Sequence, residues 1–200
     1  MRTRTLLLGL AVMAALALLD GRAGAGGDKK KPLSFEEIIA KYGTPSEEHK
    51  ALEPLAGTWH AEVKFYMAPG KPPEVSEGTM TRTWILGKRF LKEEYEGKAI
   101  GESFRGLGLT GYDRKKQKYT AMWIDSMSTS IGTQLGTYDA STKTFTFTQQ
   151  MFDPFVGAEV KTRDVLRIVS DDRVVQEMFK QMPGGKTEVK TLEITYTRKK

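Results

Sequence analysis

The sequence predicts an all-β protein, an antiparallel up-and-down closed barrel of about ten strands preceded by two short helices. From Gly57 onward, apolar and polar residues alternate with a period of two, which indicates strands with one buried face. Turn-forming segments such as 113–116, 139–143 and 183–185 separate the apolar stretches. Because such short connections require antiparallel neighbours, the strands are expected to pair in chain order.

Closure of the sheet is expected because an open sheet of this size would leave exposed edges that promote aggregation. A closed barrel has no edge strands and can enclose a small ligand. A two-layer β-sandwich is the alternative, since the spacing of the hairpins does not distinguish the two. After a first strand that begins at Gly57, the predicted strands are 75–86, 89–96, 102–112, 118–130, 131–138, 143–151, 158–169, 173–181 and 187–198.

The N-terminal segment has the features of a secretory signal peptide over residues 1–25. MRTRT is basic, and the apolar run at 6–19 is short for a membrane span. The small residues at 23–25 fit the cleavage rule, although a retained membrane anchor is the alternative. Residues 26–32 (GGDKKKP) are predicted to be a flexible linker. We therefore expect an exported protein, periplasmic or secreted, with no membrane span after signal removal.

Residues 33–55 predict the helical segment that precedes a barrel domain over 56–200. Ser34 and Glu37 have the spacing of a capping box, which starts the first helix. Thr44 is the predicted N-cap of the second helix, because a proline suited to the first helical position follows it.

The charge distribution argues against a nucleic-acid partner. The formal charge is +6, but residues 1–31 carry +4 and residues 198–200 carry +3, which leaves −1 for 32–197. A nucleic-acid-binding surface would instead concentrate basic residues on the folded body. The sequence has no cysteine, so disulfides and cysteine-containing zinc sites are excluded.

A series of short motifs in chain order resembles a known bacterial family. The motifs are HKALEPLAGTW at 49–59, GYD at 111–113, WIDSM at 123–127, GTYD at 136–139, TRDVLRIVSDD at 162–172 and EITYTR at 193–198. Together, over about residues 46–199, they resemble the family catalogued as domain of unknown function fifteen-seventy-nine. That family is similar to the calycin group of lipocalin-like, fatty-acid-binding-like and nitrobindin-like barrels. The resemblance implies a closed barrel entered at one end and implies no established reaction.

The first predicted strand also resembles the start of a lipocalin. Gly57 and Trp59 match the glycine-x-tryptophan that opens the first lipocalin strand. The resemblance implies that an arginine on the last strand crosses the indole, and Arg198 is the positional match. A guanidinium over an indole would contribute about 0.5–2 kcal/mol, so this pair is expected to have a structural role.

Strand parity places carboxylates among apolar side chains. On the strand predicted over 118–130, Tyr119, Trp123, Asp125 and Met127 share one face, which we turn inward because it carries the larger aromatics. On the strand predicted over 158–169, the same argument turns Asp164 inward. A buried carboxylate is costly unless it is paired or hydrogen-bonded, and Arg82, Tyr95 and Tyr119 are among the candidate partners.

An apolar pocket with a few polar groups is typical of small-molecule sites. A structural ion pair or a water-filled interior is the alternative explanation for these polar residues. Trp84, Trp123 and Phe147 would form the walls. The candidate ligand-binding residues are Arg82, Trp84, Tyr95, Tyr119, Trp123, Asp125, Met127, Phe147 and Asp164.

Three functions are compatible with this pattern. The barrel could bind a small hydrophobic or amphipathic molecule, or act as an enzyme with Asp125 as acid or base. It could also be a structural or interaction protein with a filled interior. No histidine follows His60, so a nitrobindin-like haem site would lack its proximal ligand. Two interior carboxylates are few for a hard cation. We therefore expect no cofactor, no haem and no metal.

Overall fold

The computed structural model describes residues 31–68, 70–154 and 156–200. The predicted signal peptide and most of the predicted linker lie outside the described residues. Within these ranges, no helix is long and apolar enough to cross a membrane.

A short helical segment precedes the sheet, as the sequence predicts. The Ser34–Glu37 capping box is confirmed: the Glu37 N–H donates to Ser34 Oγ at 3.2 Å, and the Ser34 N–H donates to Glu37 Oε2 at 2.6 Å. The segment contains helix α1 (Phe35–Ile38), a π-helical turn (Ile39–Gly43), helix α2 (Glu47–Lys50) and a 3-10 turn (Glu53–Leu55).

The predicted start of the second helix is wrong by two residues. Thr44 has extended backbone and precedes a proline, which disfavours helical geometry at that position. Ser46 is the N-cap instead, and its N–H donates to His49 Nδ1 at 3.0 Å. A histidine therefore takes the position that glutamate holds in the usual capping box.

Ten antiparallel strands follow and form one closed barrel in which each strand pairs with its neighbours in the chain. Pairing of the first strand with the last, with Trp59 opposite Arg198, closes the sheet and excludes the β-sandwich. The strands are β1 (Gly57–Phe65), β2 (Glu74–Ile85), β3 (Phe90–Ala99), β4 (Glu102–Asp113), β5 (Lys118–Asp125), β6 (Gly132–Asp139), β7 (Thr144–Asp153), β8 (Ala158–Ser170), β9 (Arg173–Gln181) and β10 (Glu188–Arg198).

The core lies inside the barrel, because alternate residues of each strand are buried against one another. We call the space that these inward-facing residues enclose the lumen. The helical segment adds Leu52 and Leu55 to one end of this core. The largest fully buried side chains are Trp59, Tyr196, Phe145, Leu52, Leu91, Val160 and Val174.

The barrel end beside the helical segment, here the capped end, is closed by the predicted arginine–tryptophan contact. The guanidinium of Arg198 lies 4.0 Å from the centroid of the Trp59 ring. It also donates to Ala56 O and Pro54 O, each at 2.7 Å. The Trp59 indole donates to Leu55 O at 2.9 Å. The last strand is thereby attached both to the first strand and to the helical segment.

Candidate functional site

Asp125 is the last residue of β5 and lies at the end of the barrel opposite the helical segment, which we call the far rim. Its Oδ2 accepts a hydrogen bond from Trp123 Nε1 at 3.2 Å, and its Oδ1 accepts one from the Met127 N–H at 2.9 Å. The carboxylate is half-buried. Asp125 therefore orients the Trp123 indole from the rim and does not lie at the centre of the barrel interior.

The predicted extension of β5 to residue 130 is wrong, and this moves Met127 out of the interior face. The strand ends at Asp125, whose side chain bonds the backbone two residues later, as turn-forming aspartates do. Met127 follows in a loop and is 54% exposed. It does not share a face with Trp123.

The centre of the lumen instead holds a buried ion pair. Arg82 is only 2% exposed, and its Nε donates to Glu93 Oε2 at 3.0 Å. The other oxygen of Glu93 accepts from Thr110 Oγ1 at 2.7 Å. The guanidinium also lies 4.5 Å from the centroid of the Tyr196 ring. Three neighbouring strands, β2, β3 and β4, thus contribute one connected polar group.

The network continues across β1 to the opposite wall. The Tyr196 hydroxyl donates to Gln176 Oε1 at 2.9 Å, and Gln176 Nε2 donates to Asp164 Oδ2 at 2.8 Å. Asp164 is therefore connected to Arg82 through two side chains of β9 and β10. We call these six connected residues the lumen network. In order of contact, its members are Thr110, Glu93, Arg82, Tyr196, Gln176 and Asp164.

Several buried polar atoms of the lumen have no hydrogen-bond partner among the described residues. Buried polar groups in folded proteins are nearly always bonded, so each exception calls for an explanation. Four of these atoms can donate a hydrogen bond, and the fifth is an oxygen of a carboxyl group. The atoms are Arg82 Nη1, Trp84 Nε1, Tyr95 OH, Thr162 Oγ1 and Asp164 Oδ1.

Burial changes the protonation of this site. Loss of solvent raises the pKa of Asp164 from its ordinary value to about 7, and the nearby Glu93 carboxylate acts in the same direction. The Gln176 hydrogen bond and the Arg82 charge oppose the rise. At neutral pH, Asp164 therefore populates both forms, so the carboxyl can accept or donate a hydrogen bond. Burial also raises the pKa of Tyr95, which keeps its hydroxyl protonated.

Aromatic rings lie against glycines on the inner wall. A Cβ added at Gly106 would lie 2.0 Å from Trp123 Cζ2, and one at Gly136 would lie 2.5 Å from Phe147 Cδ1. Similarly, a Cβ added at Gly78 would lie 2.3 Å from the Tyr95 hydroxyl oxygen. The absence of side chains at these glycines lets the rings pack close to the backbone of the adjacent strands. The rings thus line the wall of the lumen.

The nine predicted site residues therefore lie at different levels along the barrel axis. Tyr119 belongs to the capped end, because its hydroxyl donates to Glu48 O at 2.9 Å. Trp123 and Asp125 lie toward the far rim, and Met127 lies in the loop beyond it. The inner positions are Arg82, Trp84, Tyr95, Phe147 and Asp164.

Sequence reasoning missed the uncharged and acidic partners that complete the lumen network. The same parity argument would have found them if it had been applied to every strand. Glu93 lies two residues from both Leu91 and Tyr95 in β3, and Gln176 lies two residues after Val174 in β9, so each shares a face with buried residues. In the part of the chain that the structure describes, no group of three or more histidine, cysteine, aspartate or glutamate side chains could hold a metal ion.

Ten antiparallel strands that pair in chain order and close on themselves define an up-and-down β-barrel, here with a polar network inside an otherwise apolar lumen. More narrowly, the chain belongs to the family described as "Protein of unknown function (DUF1579)", which it matches over residues 44–198. This confirms the family that the sequence motifs resemble.

Two solved structures share the fold. Rv2717c from M. tuberculosis has a TM-score of 0.58 and 16% identity, with coverage of 78% of this chain and 100% of that one. The S-type phycobiliprotein lyase CPES from Guillardia theta has a TM-score of 0.51 and 14% identity, with coverage of 84% and 99%. At these identities the likeness shows the fold alone. A search of curated proteins gives no match.

Proposed function

We propose that the barrel binds a small, partly apolar molecule in its lumen, with the polar end of that molecule at the lumen network. The observation that carries the proposal is the set of buried polar atoms without partners on an otherwise apolar wall. Leaving a buried donor or acceptor unbonded costs about 1–3 kcal/mol. A ligand that bonds several of these atoms recovers part of that cost.

The chemistry of the unpartnered atoms describes the polar end of the ligand. Arg82 Nη1, Trp84 Nε1 and the Tyr95 hydroxyl can all donate, so the ligand carries an acceptor oxygen. Asp164 Oδ1 accepts when the carboxyl is ionised, so the ligand also carries an O–H or N–H group. An alcohol or a primary amide meets both requirements.

Charge disfavours an ionised carboxylate as that polar end. Arg82 already neutralises Glu93 at 3.0 Å, and Asp164 adds a second carboxyl group to the same network. A third carboxylate would repel both, because like charges in a desolvated site raise one another's pKa. A neutral polar end is therefore favoured, and an acid is expected to bind with uptake of a proton.

An enzymatic role would rest on Asp164 in preference to Asp125. A general acid or base works best with a pKa near the working pH, and burial raises the pKa of Asp164 to about 7. Its Oδ1 also has no hydrogen-bond partner in the part of the chain that the structure describes. Under this second candidate function, an Asp164→Asn variant binds the substrate but does not turn it over, whereas an Asp125→Asn variant keeps turnover.

The proposal places the mature protein outside the cytoplasm, on the signal peptide expected over residues 1–25. N-terminal sequencing of the processed protein tests this. A mature chain that begins near Gly26 supports export, and an N-terminus at Met1 in the purified native protein contradicts it.

The test of binding uses substitutions that remove only an unpartnered hydroxyl. Tyr95→Phe and Thr162→Val keep the shape of the side chain and break no hydrogen bond within the described residues. A panel of long-chain alcohols, primary amides and matching acids is screened by native mass spectrometry and Trp fluorescence. The variants are expected to weaken the best ligand roughly tenfold, which corresponds to about 1.4 kcal/mol.

The matched control is Thr146→Val, since Thr146 lies on the outward face of β7. That variant should bind like the parent protein. If no member of the panel binds and the lumen variants are simply more stable, the barrel is filled and the binding proposal is wrong.

A further inference from the structure

The barrel wall is incomplete between β6 and β7. The ladder between these strands runs from Asp139 opposite Thr144 to Leu135 opposite Thr148. β6 nevertheless begins at Gly132, and β7 continues to pair with β8 on its other side as far as Asp153. Toward the far rim, the two strands therefore lie side by side in the barrel order without a ladder. We call this unpaired stretch the β6–β7 seam.

The hydrogen-bond alternation shows which backbone groups the seam leaves unpaired. On the β8 side, the Ile168 N–H donates to Lys143 O, and these two residues are directly opposite. Such direct pairs alternate along an antiparallel ladder, so odd-numbered residues of β7 bond β8 and even-numbered ones bond β6. Gln150 and Phe152 therefore point their N–H and C=O groups toward β6, where the ladder has already ended.

A groove of about 720 Å³ lies at the seam. Outward-facing residues of both strands line it, including Thr133 and Thr148. Gln134 and Gln149 line it as well, although their positions in the strands turn them inward. The groove therefore lies against the barrel wall where the ladder between β6 and β7 has ended.

The walls of the groove are mainly apolar. It continues over the outer surfaces of β3, β4 and β5, where it has room for an extended hydrocarbon chain. Exposed apolar side chains also flank the seam, among them Ile131 in the preceding loop and Phe152 on β7. The apolar residues lining the groove are Ile85, Leu86, Phe90, Leu109, Ala121, Met122 and Leu135.

We propose that the β6–β7 seam is a lateral opening through which an apolar chain passes between the lumen and the outer groove. The inference rests on the proposed binding function and makes the ligand class narrower. The ligand has a neutral polar end at the lumen network and a flexible, unbranched apolar chain that extends through the seam into the outer groove. The unpaired edges of β6 and β7 can separate without loss of any ladder hydrogen bond, so the chain can enter sideways.

The first experiment closes the seam covalently. The protein has no cysteine, so a Thr133→Cys/Gln150→Cys double variant contains only the engineered pair. These positions would be opposite if the register of Leu135 with Thr148 continued by two residues. Disulfide formation, which requires Cα atoms within about 7 Å, joins the two edges.

The probe is the neutral apolar fluorophore N-phenyl-1-naphthylamine, followed by stopped-flow fluorescence. Oxidation of the seam variant is expected to slow association roughly tenfold, as closure of a gate does, and dithiothreitol should restore the rate. The matched control is Thr137→Cys/Thr146→Cys, at directly paired outward positions in the intact part of the same ladder. Its oxidation should leave the rate unchanged.

The second experiment tests whether the backbone amides at the seam are unpaired, and it needs neither a ligand nor a disulfide. Amide hydrogen exchange in the parent protein should be roughly 100-fold faster at Gln150 and Phe152 than at Thr146 and Thr148, whose amides point to paired positions of β6. Equal protection at all four amides would show that the seam is closed in solution and would overturn the lateral opening.

The outcomes separate the two proposals. If the probe binds and oxidation of the seam variant leaves its rate unchanged, the lateral opening is wrong and the binding proposal stands. If neither the probe nor the alcohol and amide panel binds the reduced proteins, the binding proposal fails. A slow rate in the oxidised seam variant together with fast exchange at Gln150 and Phe152 supports both.

Discussion

The capped end and the lumen both contain tryptophan, tyrosine and arginine side chains, but the two regions differ in whether the polar atoms of these side chains are hydrogen-bonded. At the capped end, Trp59 and Tyr119 donate to main-chain oxygens, and Arg198 donates to three of them. In the lumen, the indole N–H of Trp84 and the hydroxyl of Tyr95 have no partner among the described residues, and neither does one nitrogen of Arg82. The same chemistry thus stabilises the fold at one level and leaves hydrogen-bonding capacity free at another.

The difference has a physical reason. The short helical turns at the capped end leave carbonyl oxygens without helical partners, and the side chains of Trp59 and Arg198 bond Leu55 O, Ala56 O and Pro54 O. Around the lumen network, where the ladders are intact, the wall offers no such oxygens, because paired strands use their backbone groups in the ladder. Lumen side chains can therefore bond only one another or a guest molecule.

The largest effect is expected from Arg198→Ala. The variant loses three hydrogen bonds from a charged group and the contact with Trp59, so the free energy of unfolding should fall by about 4 kcal/mol. Chemical denaturation measures this. Arg167→Ala, on the exposed face of β8, is the control and should change stability by less than about 0.5 kcal/mol. Equal losses of stability in the two variants would show that the contacts of Arg198 at the capped end contribute no more than an exposed arginine does.

The next effect is pH-dependent and belongs to the lumen. Because the pKa of Asp164 is raised to about 7 in the folded protein, its contribution to stability is full below the unfolded pKa near 4 and is lost as pH rises to 7. Asp164→Asn should therefore exceed the parent in stability by about 4 kcal/mol at pH 8. Near pH 4 the two proteins should be almost equal.

Urea denaturation at several pH values measures that difference. Asn can still accept the hydrogen bond from Gln176, so the comparison isolates ionisation. A parent protein whose stability relative to Asp164→Asn does not change between pH 4 and pH 8 would contradict the raised pKa of Asp164.

A smaller effect is expected where the Trp123 ring packs on glycine. In Gly106→Ala the new Cβ meets the indole at 2.0 Å, so the ring must move, at a cost of about 2 kcal/mol. Trp fluorescence and thermal unfolding report both changes. At Gly132 the nearest atom to an added Cβ is 3.6 Å away, and Gly132→Ala should leave the fluorescence spectrum unchanged. A Gly106→Ala protein with parental fluorescence would show that the ring does not contact this wall.

The smallest effect gives the sharpest comparison of the two regions, because the same substitution is made in each. Tyr119→Phe removes the hydrogen bond to Glu48 O and should lower the free energy of unfolding by about 1 kcal/mol. Tyr95→Phe removes a hydroxyl without a described partner and should have no destabilising effect. Affinity for alcohols and amides should change in the opposite way: Tyr95→Phe should weaken binding, and Tyr119→Phe should leave it nearly unchanged. Loss of stability in Tyr95→Phe equal to that in Tyr119→Phe would abolish the contrast.

Much of the fold was predictable from local pattern, and the errors have local causes. Alternation from Gly57 onward and the turn-forming segments predicted the strands and their order. The end of β5 was missed because the Asp125 side chain forms a turn with the next residues. The start of α2 was missed because His49 takes the capping position usually held by glutamate.

For the candidate site, the sequence predicted which face of a strand each residue occupies but not its level along the barrel axis. Parity turned Asp125 and Asp164 inward, yet it gave no sign that Asp125 lies at the far rim and that Asp164 lies in the lumen network. Height along the barrel axis depends on the register between strands and on their tilt, which a single strand's sequence does not contain.

Within each strand, the sequence by itself determined which residues face inward, because a strand's alternation is a local property of its backbone. It also determined the helical segment and the Trp59–Arg198 contact through recognisable motifs. Only the tertiary structure decided which inward groups meet. Glu93 meets Arg82 directly, whereas Gln176 and Tyr196 link Arg82 to Asp164. Closure of the sheet brings distant strands together, and the stagger of the ladders sets the height of each residue and the place where β6 and β7 stop pairing.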